Sequence, residues 1–155
     1  MSTTSTDQPS LTGETDWQLF DAPSLVGSSL RFVSGDPKGQ RFRTRYFRKP
    51  DQSLVARIWF GPETEGPPEH AHGGSMAAVL DEVLGLAAWA TGRAIVVANL
   101  NIDFRCLLPI LQVVQVDTEV ISIEGRKILI RGKLWDGKEK IYAEADCLCI
   151  EIQAI

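Results

Sequence analysis

A chain of 155 residues, 44% of them apolar, has the material for one packed domain and little room for two. Its net charge of −4 argues against the basic face of a nucleic-acid binder; an anionic ligand would need a local cation cluster or backbone N–H groups. No apolar run is long enough to span a membrane.

Positions 1–16 are rich in Ser, Thr and Gly and lack both an apolar signal core and the arginines of a transit peptide. They read as a disordered tail on a cytoplasmic protein, with a single domain over 17–155. Trp17 to Ser29 mixes apolar and turn-forming residues, which fits a short helix or an irregular lead-in. Gly35-Asp36-Pro37 marks a turn. Gln40 to Phe47 and Leu54 to Phe60 read as strands joined at Lys49-Pro50-Asp51. Gly61 to Gly74 is a Pro- and Gly-rich loop.

Ser75 to Thr91 is expected to be a helix about 25 Å long. Met76, Val79, Leu80, Val83, Leu84 and Leu86 make it apolar on most sides, so it should be buried, and Gly92 can end it. Four strands should follow. In Ile95 to Arg105, Ala98, Leu100, Ile102 and Phe104 alternate with Asn99, Asn101, Asp103 and Arg105. Gln112 to Ser122, Lys127 to Trp135 and Lys140 to Ile152 complete the set, and Asp136-Gly137 suggests a tight hairpin. The expected class is α+β, an antiparallel sheet of about six strands wrapped around one long helix.

The segment richest in chemistry is Gly66-Pro67-Pro68-Glu69-His70-Ala71-His72-Gly73-Gly74-Ser75. Two glycines at a helix start let backbone approach a ligand, and the free N–H groups there favour developing negative charge, as an oxyanion hole requires. Asp81 lies nine residues beyond His72, among Val79, Leu80, Val83 and Leu84. A carboxylate there costs several kcal/mol unless paired or wet. It suits a general base or nucleophile, although Asp81 and Glu82 could equally form a solvated stripe. Glu82 is the rival base, turned by about 100°. His70 and His72 could share a metal only in an extended loop, and no acidic ligand follows nearby, so no metal is expected and His70 reads as a rim residue. Cys106, Cys147 and Cys149 read as buried small hydrophobes in a reducing compartment.

His72-Gly73-Gly74 followed by Asp81 resembles the signature of PaaI-type hotdog thioesterases, in particular the branch containing vertebrate thioesterase superfamily members four and five. The likeness extends through Gly66-Pro67-Pro68, Ala98-Asn99-Leu100-Asn101-Ile102, Glu124-Gly125-Arg126-Lys127 and Tyr142-Ala143-Glu144-Ala145, over half the chain in the right order. The resemblance implies a hotdog fold and hydrolysis of acyl-coenzyme A, with no cofactor. Asp81 would activate water or attack the thioester carbonyl, and Gly74 would donate its N–H to the thioester oxygen. His72, with Gly73, would shape the loop and hydrogen-bond near the thioester. The resemblance also implies a homodimer, or a dimer of dimers, whose site joins the helix of one subunit to the following strand of another.

Val97 departs from that pattern, since family members usually carry Thr or Ser sixteen residues past the aspartate. Asn99 is the nearest polar candidate, about 7 Å further along the same face. Cys106 and Leu107 replace the usual Arg and Pro. Arg105, Arg126, Lys127 and Arg93 are candidates for the coenzyme A phosphates, against ordinary surface charge. A non-catalytic acyl-binding protein, a hydratase or dehydratase, and an acyl carrier protein substrate remain as alternatives.

Overall fold

The computed structural model describes residues 9–21, 31–36 and 39–153. β1 (Gln18–Leu19), β2 (Phe42–Arg48) and β3 (Leu54–Phe60) come first, then a 3-10 turn at Pro62–Thr64 and the helix α1 (Gly73–Trp89). β4 (Ile95–Phe104), β5 (Gln112–Glu124), β6 (Lys127–Trp135) and β7 (Ile141–Glu151) follow. All pair antiparallel in one sheet of order β1-β2-β3-β5-β6-β7-β4. The expected α+β arrangement forms, with seven strands because the two-residue β1 adds an edge.

α1 packs on one face of this sheet, touching β3 through β7. Val79, Leu80, Val83 and Leu84 recur at helical spacing and are fully buried. They meet inward residues of alternate strand positions: Ala56 and Ile58, Val116, Ile128 and Ile130, Cys147 and Cys149. Helix and sheet approach closely at Gly132, where a Cβ would lie 2.6 Å from Leu84 Cδ1. The two buried thiols sit 3.6 Å apart on the inner face of β7, whereas Cys106 is exposed and not the buried hydrophobe expected.

Four expectations change. Of the segment read as a tail, positions 1–8 lie outside the described residues, but 9–16 run along the outside of β2 and β3. There Arg57 donates to the Thr12 carbonyl at 3.0 Å and pairs with Glu14 at 2.9 Å. Trp17 tilts over Phe47, so Phe47 and Val55 are buried although they point away from the helix. The lead-in at 17–29 contains β1, and its positions 22–29 lie outside the described residues. The 136–140 connection is wider than a two-residue turn: the Asp136 carboxylate accepts three N–H bonds, from Lys138, Glu139 and Lys140, at 2.8–3.1 Å. These bonds hold its carboxyl below the ordinary range.

The fourth change concerns β4. Its pairing with β7 jumps between Val97 and Asn99, so Ala98 is an extra residue in a β-bulge. The bulge exchanges the faces: Ile95 and Val97 pack inward before it, Leu100 and Ile102 after it. Asn99 is exposed and no longer shares a face with Val97, so it cannot stand in for the missing hydroxyl.

Candidate active site

The loop before α1 is pinned by backbone. Ala71 donates to the Leu108 carbonyl at 2.7 Å and His72 to the Thr64 carbonyl at 2.7 Å. His70 is held by its own loop, with Nδ1 2.9 Å from the Pro68 carbonyl. Among the described residues no three His, Cys, Asp or Glu side chains gather as metal ligands do.

These anchors place His72 as the helix N-cap, in extended conformation, where its Nδ1 accepts the Gly74 N–H at 2.8 Å. An Nδ1 that accepts has a free lone pair, so the ring is neutral with its proton on Nε2. Gly74 must be glycine for this contact, because a Cβ would stand 2.9 Å from Nδ1. The Gly74 N–H expected to face the thioester is therefore engaged by imidazole. Among the described residues, the N–H with no protein acceptor in this first turn is that of Gly73. The helix start thus offers two donors, Gly73 N–H and His72 Nε2–H.

Asp81 lies outside the buried stripe of Val79, Leu80, Val83 and Leu84. It is exposed in the protomer, yet the nearby apolar wall raises its carboxyl above the usual range. It borders a cavity of about 210 Å³ together with Gly85, Trp89 and Val97, with Arg31 and Glu82 also on its walls. Glu82 is committed elsewhere: it accepts from Ser34 N–H at 3.1 Å and from Ser34 Oγ at 2.6 Å. That ties the 31–36 turn to the helix and leaves Asp81 as the carboxylate with access to solvent. Burial, then the Glu82 charge, raises the nearby Tyr46 phenol well above its ordinary range.

Asp81 and Val97 line one cavity within the protomer. The helix-start donors lie apart from it along the helix. Nine residues place Asp81 about 13.5 Å from His72 and half a turn around the axis. Within one protomer the carboxylate and the helix-start donors cannot converge on one carbonyl.

The expected phosphate contacts fall into two groups. Arg126 donates to the Glu151 carbonyl at 3.1 Å beside Arg93, which pairs with the Glu151 carboxylate at 2.9 Å; Lys127 is the next residue. Arg105 sits past the other end of β4, roughly 30 Å away, and pairs with Glu144 at 3.0 Å. Arg31, Gly85 and Trp89 were not anticipated. Only Gly85 left a signal, as a glycine inside a helix, where it costs about 1 kcal/mol relative to Ala.

Residues 69–143 match the family model described as Thioesterase superfamily. The chain is 32% identical over 135 residues to Acyl-coenzyme A thioesterase THEM4 of Rattus norvegicus, covering 86% of this chain and 58% of that protein. It is 29% identical over 140 residues to Acyl-coenzyme A thioesterase THEM5 of Mus musculus, covering 89% and 52%. It therefore spans little more than half the length of these relatives. The fold matches the E. coli PaaI protein of the phenylacetic acid degradation operon with a TM-score of 0.62 and 16% identity, over 66% of this chain and 74% of that one.

Proposed function

We propose that the chain is a thioesterase-superfamily member that hydrolyses acyl-coenzyme A to the free acid and coenzyme A, a reading supported by its similarity to the family model and to acyl-coenzyme A thioesterases. One observation carries the reading: an exposed carboxylate, raised by apolar surroundings, borders a largely apolar cavity on a helix whose first turn leaves donors open. Asp81 takes a proton from water as the water attacks the thioester carbonyl, or attacks that carbon itself to give an anhydride that water then opens. Gly73 N–H and His72 Nε2–H receive the oxyanion. The carbon–sulfur bond breaks, and coenzyme A leaves as a thiolate that takes up a proton.

This chemistry needs two copies of the chain, because the donors and Asp81 of one helix face opposite ways. β4 forms a ten-residue sheet edge with exposed Val96 and Phe104, and a second copy laid along it would complete the site and cover that edge. A dimer, or a dimer of dimers, is the assembly this reading requires. Arg126, Lys127 and Arg105 are the cations offered to coenzyme A phosphates.

Val97 favours a second reading. It puts a methyl where a hydroxyl would orient water, as a protein that binds acyl-coenzyme A without cleaving it could tolerate. Free-thiol release from a panel of acyl-coenzyme A esters separates the two. Wild type should turn over and Asp81→Asn should not; binding without release by wild type would establish the binder.

A further inference from the structure

Gly85 stands in the middle of α1, one turn beyond Asp81 on the same face. Glycine is the poorest ordinary residue for a helix interior. Packing does not demand it here, since a Cβ would meet only Val97 Cγ2, at 3.5 Å, an ordinary contact. At Gly132, by contrast, a Cβ would run into Leu84. What Gly85 leaves is space, and that space belongs to the cavity bordered by Asp81, Val97 and Trp89. Trp89 is half-buried and packs against the core a further turn along the helix.

The helix gives the length of what fits. Asp81 to Trp89 spans eight residues, about 12 Å of axis. A zigzag of bonds of about 1.5 Å advances about 1.25 Å per carbon, so that run takes about eight to ten carbons. We infer that the cavity takes the acyl chain of the substrate, an unbranched aliphatic chain of about eight to ten carbons, with Gly85 keeping its floor open and Trp89 closing its far end. The assignment rests on the thioesterase reading for its ligand but not for its geometry, so binding and turnover can be tested apart.

Calorimetric binding of non-hydrolysable thioether analogues, from acetyl to palmitoyl, is measured alongside thiol release from the matching thioesters. For wild type, Kd should fall about fourfold per added methylene up to about eight to ten carbons and then level off. Gly85→Leu should lose that dependence, weakening the octanoyl analogue by more than tenfold while leaving coenzyme A itself unchanged. Trp89→Ala should move the optimum to longer chains. Gly85→Ala, with a raised melting temperature and a shortened optimum, serves if Gly85→Leu does not fold. A flat length profile in wild type, a preference for aryl over octanoyl groups, or a profile unmoved in all three variants would overturn the assignment. The expected binding profile without thiol release would sink the hydrolase reading and keep the pocket. Thiol release with a flat profile would do the reverse.

Discussion

Gly74→Ala tests the capping imidazole with a single methyl. The new Cβ would stand 2.9 Å from His72 Nδ1 and 3.1 Å from Cε1, closer than either contact allows. His72 is exposed, so the ring can swing outward while the helix stays in place. The swing breaks the 2.8 Å bond from Gly74 N–H to Nδ1, an N-cap contribution of about 1 kcal/mol. Alanine returns little of this, because helix propensity matters least in the first turn. Thermal unfolding should therefore show a loss of about 1 kcal/mol or less. Turnover should not be spared, because Nε2–H loses its aim, and losing one preorganised oxyanion donor lowers kcat by about 10²–10³. His72→Ala is the comparison: it removes the same Nε2–H donor without adding a Cβ at position 74. Its kcat for thiol release should fall by a similar factor. Full activity in either variant would refute the role given to His72.

Three more outcomes follow from the same site. Because burial raises the Asp81 carboxyl, its ionised form is disfavoured on folding. Asp81→Asn should therefore be more stable than wild type at neutral pH, and unfolding curves should show the gap closing as pH falls through the raised folded value towards the ordinary carboxylate range. The activity of wild type should fall over the raised end of that window, at a pH above an ordinary aspartate's. Val97→Thr should raise kcat by about ten- to a hundredfold if its hydroxyl orients water or Asp81, since such a bond contributes about 1.5–3 kcal/mol; a slower variant would show that the cavity wall does not face the reacting water. Sedimentation at micromolar concentration should find at least a dimer, and a monomer with full activity would contradict the two-chain site.

Legibility in the sequence followed how local each cause was. The bounds of β3 and β6 could be read to the residue because turn formers flank both: Ser53 and Gly61 around one, Gly125-Arg126 and Asp136-Gly137 around the other. α1 begins two residues earlier than its composition suggests, because a cap from His72 lets glycines occupy the first turn, where propensity matters least. The bulge at Ala98 left no mark. Val96, Val97 and Ala98 are all apolar, so either frame of alternation satisfied the pattern, and only the pairing with β7 chooses between them. The tie from Ser34 to Glu82 crosses 48 positions, beyond any periodicity, and it is what separates two adjacent carboxylates into an anchored one and an accessible one. The division of the site follows from helix arithmetic already present in the motif. Nine residues from His72 to Asp81 make two and a half turns, which sets the helix-start donors and Asp81 on opposite sides of one helix, so the proposed reaction takes its oxyanion donors from a second copy.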